Sequence, residues 1–223
     1  MKIQIVFPVY NDWEALKLLL TKTESIFKNK DAQLSYLVVD DCSSLPFDSA
    51  NFKEFDIKVI HLMSNQGHQR AIAIGLSYLA DHNEADMVIV MDSDGEDQSE
   101  HIVDLIEKSK TAPDKIIFAQ RKKRTESIAF KVFYLVYKFI FKFLTGHVIT
   151  FGNYSLIPAS KIKKLANVSE IWNNYPGGVI RSKLPFDSIP LDRGLRLAGK
   201  SKMNFTSLIL HGMSAISVFL DFT

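Results

Sequence analysis

The stretch Met87-Val88-Ile89-Val90-Met91-Asp92-Ser93-Asp94-Gly95-Glu96-Asp97 decides the fold of this chain of 223 residues. Its first five residues form a short, continuous apolar run, which is typical of a strand buried on both faces of a parallel sheet. The run ends abruptly in acidic residues and a glycine. Three other runs rich in Val and Ile, and a fifth strand candidate, cover residues 3–9, 34–39, 57–62 and 115–119.

Segments with helical spacing lie between these runs. One follows Asn11 and Asp12, either of which is a suitable N-cap, another follows Asn65, and a third covers residues 100–110. Alternation of strand and helix predicts a doubly wound α/β sheet with right-handed crossovers. The apolar positions at helical spacing in the first two segments are Trp13, Leu16, Leu19, Leu20, Ala71, Ile74, Tyr78 and Leu79.

Polar clusters follow four of the predicted strands. In doubly wound sheets the ligand lies beyond the carboxyl ends of the strands. We therefore expect the four clusters to face one crevice. They are Pro8-Val9-Tyr10-Asn11, Asp40-Asp41-Cys42-Ser43-Ser44, Asn65-Gln66-Gly67 and residues 92–97.

The cluster after the fourth strand has the spacing of a metal site. Asp92 and Asp94 are two residues apart, so in an extended backbone their carboxylates leave on the same face, and Glu96 continues the spacing. Oxygen ligands of this kind suit Mg²⁺ or Mn²⁺ bridging to substrate phosphates. The competing interpretation is an ordinary turn, because Asp and Gly favour turns.

A phosphoacceptor receiver domain also places acidic residues at strand ends. Its paired aspartates follow the first strand, whereas Asp40 and Asp41 follow the second strand here. A strongly basic stretch also continues from residue 121 to residue 223. Both features argue against a receiver.

Charge is divided unevenly along the chain. Residues 1–120 hold 11 Lys or Arg and 20 Asp or Glu, whereas residues 121–223 hold 16 and 5, although the formal net charge of the whole chain is only +2. We expect the acidic part to bind metal and the basic part to face phosphates. Two solvated faces are the alternative.

Composition excludes several classes of protein. With 47% hydrophobic residues the chain is not disordered, and its one cysteine, Cys42, excludes a disulfide framework and a thiolate zinc cluster. The single cysteine and the lack of a signal-peptide start after Met1 favour a reducing, cytosolic location. The six histidines lack paired metal spacing and are interpreted as structural or surface groups. No nucleic-acid module is visible.

Taken in order, the strand ends resemble the family 2 glycosyltransferases of the GT-A fold. Pro8-Val9-Tyr10-Asn11 resembles their first strand end and Val38-Val39-Asp40-Asp41-Cys42-Ser43 their second-strand signature. Asn65-Gln66-Gly67, followed by Ala71 and Gly75, resembles their Asn-x-Gly helix start, and Asp92-Ser93-Asp94 resembles their DXD metal motif.

Within that family the similarity extends to the polyprenyl-phosphate glycosyltransferases, such as dolichol-phosphate mannose synthase and bactoprenol glucosyltransferases. These enzymes carry an arginine after strand five and a late Arg-x-x-Arg-x-x-Gly-x-Ser-Lys signature. This chain has Arg121 and Arg124 at the first place and residues 193–202 at the second. The resemblance therefore covers nearly the whole chain.

The resemblance implies a set of site residues. The residues expected to catalyse transfer are Asp92, Asp94 and Arg196. Those expected to hold Mg²⁺ or Mn²⁺ are Asp92, Asp94 and Glu96. Those expected to bind the nucleotide are Pro8, Tyr10, Asn11, Asp41, Gly67 and Arg121, and those expected to bind phosphate or acceptor are Arg124, Arg193, Ser201 and Lys202.

Two departures from the family pattern bear on mechanism. Relatives carry Leu-Gln where this chain has Gly95-Glu96, and Gly-Asp-Phe-Arg where it has Gly152-Asn153-Tyr154-Ser155. A hydroxyl acceptor needs a general base, whereas a lipid phosphate is already an anionic nucleophile. Few acidic residues follow residue 120, which favours a phosphate acceptor, although Asp97 is an alternative base.

We therefore expect an inverting transferase that moves a sugar from a UDP or GDP donor to a polyprenyl phosphate. The alternatives are extension of a saccharide acceptor and an inactive nucleotide-binding scaffold. The expected organisation is a single GT-A domain with a nucleotide and metal part (1–120) and an acceptor part (121–202). A juxtamembrane-type amphipathic helix (203–223) is expected to follow. A homo-oligomer is left open.

Two segments predict contact with a membrane surface. Residues 128–144 are aromatic and aliphatic but carry Lys131, Lys138 and Lys142, which suits an interfacial helix, or else a core helix with snorkelling lysines. Residues 205–222 form a second candidate. No convincing spanning helix follows, so we expect a peripheral protein at the cytoplasmic face, or one anchored by segments outside this chain. Trp172 and Tyr175 suit either an acceptor site or the core.

Overall fold

The computed structural model describes residues 1–121, 142, 151–199 and 212–219. In these residues seven strands form one sheet with the order β3-β2-β1-β4-β6-β5-β7. The strands are β1 (Lys2–Val9), β2 (Gln33–Asp40), β3 (Ile57–His61), β4 (Met87–Val90), β5 (Ile116–Arg121), β6 (Phe151–Pro158) and β7 (Phe186–Leu191). All five predicted strands are confirmed.

Helices connect the strands and cover both faces of the sheet. The three helices predicted in the first half are present. The helices are α1 (Trp13–Phe27), α2 (His68–His82), α3 (Glu100–Thr111), α4 (Ala159–Ala166) and α5 (Tyr175–Arg181), with 3₁₀ turns at Ser49–Phe52 and Ser169–Trp172.

One strand runs against the others. β1 to β4 pair in parallel, and β5 pairs in parallel with β7, whereas β6 is antiparallel to both β4 and β5. Val90, the last residue of β4, lies opposite Ser155. The first residues of β6 therefore lie at the carboxyl ends of the parallel strands, where the predicted crevice is.

The central strands are buried on both faces, as their continuous apolar runs predict. Ile3, Ile5 and Phe7 of β1 pack into the layer that contains α1 and α3. Val6 of the same strand packs into the opposite layer with α2, α4 and α5. This strict alternation fixes the register of β1, because a shift by one residue would exchange the two faces.

The two predicted membrane-surface helices are only partly covered. Residues 128–144 lie outside the described residues except for Lys142. Of residues 205–222, the structure describes 212–219, which are helical over 212–217 and bury Ala215, Val218 and Phe219 in a cluster that includes Ile180 of α5. Among the described residues, no helix combines the length and the apolar character needed to span a bilayer.

Gly75 allows α2 to lie close to the sheet. A Cβ atom at this position would lie 2.7 Å from Val6 Cγ1 and 3.2 Å from Val39 Cγ2. Both valines are fully buried in strands, so they have little room to move.

We expect Gly75→Val to destabilise the fold by about 1–3 kcal/mol, because it overpacks the contact between α2 and the sheet. Urea unfolding followed by circular dichroism measures this change. Gly152→Val is the control, because nothing lies within 4 Å of a Cβ atom at Gly152. Equal midpoints for the two variants would contradict the packing argument.

Candidate active site

The acidic turn, residues 92–97, follows β4 and is held by its own carboxylates. The backbone N–H of Asp92 donates to Asp97 Oδ2 at 3.1 Å, and the N–H of Glu96 donates to Asp94 Oδ1 at 3.0 Å. Gly95 has φ 85°, a left-handed conformation that favours glycine. These contacts hold the conformation of a turn that carries four carboxylates in six residues.

A second segment, the arginine loop (residues 192–199), follows β7 and docks on the acidic turn. The N–H of Gly194 donates to the Glu96 carbonyl at 2.8 Å, and that of Leu197 to the Asp94 carbonyl at 2.9 Å. A Cβ atom on Gly95 would lie 2.4 Å from Leu197 Cγ. Gly95, which departs from the family pattern, therefore makes space for the Leu197 side chain.

Arg196 joins the acidic turn to the loop after β1. Its Nη1 donates to Asp94 Oδ2 at 3.3 Å and its Nη2 to Asp12 Oδ2 at 2.8 Å. The side chain is 15% exposed. Its Nε is buried and has no hydrogen-bond partner among the described residues. A buried donor of this kind suits an anionic oxygen, such as one from a phosphate.

Arg193 forms an ion pair with Glu96. The expected third metal ligand therefore has a basic partner here, and ligation by Glu96, which would compete with this pair, stays a prediction. Within the described part of the chain, no three acidic, histidine or cysteine side chains converge into a metal-binding group. Asp92 and Asp94 supply the hard oxygen donors that Mg²⁺ and Mn²⁺ favour.

The crowding of carboxylates changes their acidity. Burial, with the charge on Asp92 as the next contribution, raises the pKa of Asp97 to about 7. The same two causes raise the pKa of Asp94 above its ordinary value, although Arg196 opposes the shift. A divalent cation would relieve this repulsion.

His68 belongs to the site, although the sequence analysis treated it as structural or surface. Its Nε2 lies 3.1 Å from Asp92 Oδ1 and 3.0 Å from Asn153 Nδ2. Burial by itself lowers the pKa of His68, but the charges of Asp92 and its acidic neighbours raise it overall. His68 directly follows Asn65-Gln66-Gly67, a motif assigned to the same crevice, and this position in the sequence could have predicted that it lies at the site.

A chain of hydrogen bonds continues from Asn153 toward α5. Gln69 Nε2 donates to Asn153 Oδ1 at 3.1 Å, and the N–H of Tyr175 donates to Gln69 Oε1 at 2.6 Å. The Tyr175 hydroxyl shares a hydrogen bond with Ser155 Oγ at 2.7 Å, and its side chain is fully buried. Tyr175 is therefore a core residue, as the second interpretation held, whereas Trp172 is 38% exposed.

The residues expected to bind nucleotide lie at the ends of β1 and β2. Pro8 is buried within β1, and Tyr10, just beyond it, is 40% exposed. Asn11 Oδ1 accepts from the N–H of Leu45 at 2.8 Å, which ties the two loops together. Neither Asn11 nor Asp12 caps α1 through its side chain, which corrects the N-cap expectation.

Asp41 holds the start of α2. Its carboxylate, which is buried, accepts from the N–H groups of Gln66 at 2.6 Å and Gly67 at 2.9 Å. Gly67 has φ 89°. Contact of Asp41 and Gly67 with a nucleotide stays a prediction, and the observed bonds show that both residues shape the loop beside it.

A cavity of about 60 Å³ lies between the acidic turn and the amino end of β6. Asp92, Asp97, His101, Gln120 and Asn153 are among its lining residues. The other residues expected to bind nucleotide, phosphate or acceptor are only partly covered by the described residues. Arg121 ends β5 with its side chain outside the described set, as are all atoms of Arg124, Ser201 and Lys202.

Residues 4–164 match the family model described as Glycosyl transferase family 2, so this chain belongs to that family. The undecaprenyl-phosphate 4-deoxy-4-formamido-L-arabinose transferase of Klebsiella pneumoniae is 30% identical over 132 residues, which is 57% of this chain and 39% of that protein. The protein of the same name from Proteus mirabilis is 29% identical over 131 residues, 56% and 39% of the two chains. This chain spans about two fifths of the length of these relatives.

Solved structures establish the GT-A fold. Mannosyl-3-phosphoglycerate synthase from Rubrobacter xylanophilus superposes with TM-score 0.68 at 14% identity, covering 98% of this chain and 72% of that one. Glucosyl-3-phosphoglycerate synthase from Mycobacterium tuberculosis, in complex with Mn²⁺, UDP-glucose and phosphoglyceric acid, superposes with TM-score 0.67 at 14% identity, covering 97% and 78%. The expected α/β fold with a mostly parallel sheet is confirmed.

The raised pKa of Asp97 predicts a pH-dependent stability. An unfolded Asp97 ionises near its ordinary value, so the folded state loses stability as the pH rises toward about 7. In metal-free buffer we expect Asp97→Asn to reduce the fall in melting temperature between pH 5 and pH 8. Thermal unfolding of Asp104→Asn, an exposed site on α3, is the control and should follow the native curve. Parallel curves for the native chain and Asp97→Asn would contradict the assignment.

Proposed function

We propose that this chain transfers a sugar from a UDP- or GDP-sugar to a polyprenyl phosphate, with inversion and with Mg²⁺ or Mn²⁺. One observation carries the proposal. Asp92 and Asp94 present carboxylates at the carboxyl end of β4. The largely shielded Arg196 guanidinium lies against Asp94, and its Nε has no hydrogen-bond partner within the described part of the chain. Carboxylate oxygens that suit a cation and a guanidinium that suits phosphate thus lie in contact with each other.

The relatives support the two substrates. The curated relatives are named as undecaprenyl-phosphate sugar transferases, which supports a polyprenyl phosphate acceptor. A solved structure of the same fold holds Mn²⁺ and UDP-glucose, which supports a nucleotide-sugar donor and a divalent cation.

The residues supply most of what loss of a nucleoside diphosphate requires. Asp92 and Asp94, with Glu96 as third ligand, would hold the cation, which neutralises the charge that develops on the diphosphate when bound. Arg196 donates to phosphate oxygens from Nε and from the Nη1 that now contacts Asp94. Arg193, once released from Glu96, would offer a second guanidinium to the phosphate oxygens.

The acceptor side favours a nucleophile that is already ionised. Asn153, at the place where relatives carry an acid, uses its amide in the contacts with Gln69 and His68. A phosphate oxygen attacks without losing a proton, so no base is needed. Asp97 supports the alternative of a hydroxyl acceptor, because its carboxyl group lines the cavity beside Asp92 and has a pKa of about 7.

The charge division supports an orientation on the membrane. Residues 121–223, with 16 basic and 5 acidic side chains, would face anionic lipid at the cytoplasmic leaflet, with residues 121–202 as the acceptor part. Residues 1–120 would bind metal and nucleotide, and 203–223 would form the juxtamembrane-type helix. A homo-oligomer is compatible with this arrangement.

We expect UDP or GDP to raise the melting temperature of the native chain only when Mn²⁺ is present, because ligand binding stabilises the folded state by mass action. CDP and dTDP complete the panel. Asp94→Asn should abolish the shift, and Asp104→Asn should retain it. A shift of equal size in EDTA would contradict a role for the metal.

Acceptor choice is tested with the donor that binds. We expect transfer to undecaprenyl phosphate in detergent, and Asp97→Asn should keep at least about a tenth of the native rate if no general base acts, since loss of a base typically costs a hundredfold or more. Transfer only to a saccharide, with Asp97→Asn inactive but still binding nucleotide, would establish the alternative acceptor. Metal-dependent nucleotide binding without any turnover would indicate a scaffold.

A further inference from the structure

Asp12 occupies a helix N-cap position without capping the helix. It precedes α1, where an aspartate normally accepts a hydrogen bond from a first-turn N–H, yet its side chain makes no such bond. Its Oδ2 accepts instead from Arg196 Nη2 at 2.8 Å, across 184 residues of sequence. The carboxylate thus makes a distant bond instead of the local one that stabilises many helix starts.

The Asp12–Arg196 pair is largely shielded from water. The two side chains are 19% and 15% exposed. Pairs in such surroundings are screened less than surface pairs, and removal of one partner leaves the other charge poorly compensated. Asp12 therefore contributes more to the position of Arg196 than an exposed carboxylate would.

Asp12 differs from the other partner of Arg196 in its location. Arg196 Nη1 contacts Asp94 Oδ2, an oxygen that a cation bound at the acidic turn would also use. Asp12 lies on the loop after β1, outside the Asp92-Ser93-Asp94 motif. The contact with Asp12 is therefore the one that would persist if a metal occupied Asp94.

We propose that Asp12 is a positioning residue for Arg196, which keeps the guanidinium and the arginine loop against the site when metal and nucleoside diphosphate bind. This inference rests on the proposed function for its ligand. As an anion, the Asp12 carboxylate would not bind phosphate itself. Through Nη2 it orients the guanidinium plane so that Nε and Nη1 face the diphosphate.

A double-mutant cycle tests the proposal, with UDP and GDP in the presence of Mn²⁺ as probes and titration calorimetry as the measurement. Asp12→Asn and Arg196→Ala should each weaken binding about tenfold or more, the cost of one charge-assisted contact, and the double variant should be no weaker than Arg196→Ala. Asp12→Glu should restore part of the affinity. Glu14→Gln, an exposed first-turn site on α1, is the matched control and should bind as the native chain does.

Phosphate-free probes separate positioning from other roles. Uridine and guanosine, titrated by NMR, should bind Asp12→Asn and the native chain equally. Three results would each overturn the proposal. Asp12→Asn could bind the diphosphates with native affinity, or it could lose as much affinity for the nucleosides as for the diphosphates. In the third result, the fold-losses of Asp12→Asn and Arg196→Ala would multiply in the double variant.

Amide hydrogen exchange without nucleotide distinguishes failure of this inference from failure of the proposed function. Residues 193–199 should exchange faster in Asp12→Asn than in Glu14→Gln, because the arginine loop loses an anchor. If the native chain binds neither UDP nor GDP, the proposed function fails. Faster exchange in Asp12→Asn would still show that Asp12 anchors the arginine loop. Unchanged exchange in Asp12→Asn would overturn this inference.

Discussion

The contact between the acidic turn and the arginine loop is the interaction on which the candidate site depends. Four carboxylates lie within six residues at the end of a buried strand, where their mutual repulsion and desolvation are unfavourable. Arg193 and Arg196, which come from a loop about a hundred residues later in the chain, supply the compensating charge. The site therefore exists only when distant parts of the chain have folded together.

In the proposed function, metal and nucleotide would exchange the partners of these charged groups. The guanidinium that now neutralises Asp94 presents the donors that a diphosphate needs, and the carboxylates that now bind arginine present the oxygens that a cation needs. Binding of metal and nucleotide would replace one set of charge pairs by another, with little net change in local charge. Such preorganised charges stabilise a leaving group without large rearrangement.

A polar network extends the acidic turn toward the second half of the chain. Because β6 runs against its neighbours, its first residues reach the carboxyl ends of the parallel strands and place Asn153 beside His68. From Asn153 the hydrogen bonds pass through Gln69 to Tyr175 at the start of α5. The expected nucleotide side and the expected acceptor side thus share one set of polar groups, and a change at Asn153 would affect both.

The sequence by itself determined the strands of the first half, the helices between them and the edge of the sheet where the polar residues lie, because burial of Val- and Ile-rich runs and turn chemistry act over a few residues. Its resemblance to the family 2 glycosyltransferases also predicted that Asp92, Asp94 and Arg196 belong to one site. Only the tertiary structure decided that Asp12 binds Arg196 instead of capping α1, that His68 contacts Asp92 and that β6 is inverted. Each of these depends on charges and strands brought together from distant parts of the chain, and hydrophobic periodicity carries no information on such pairings.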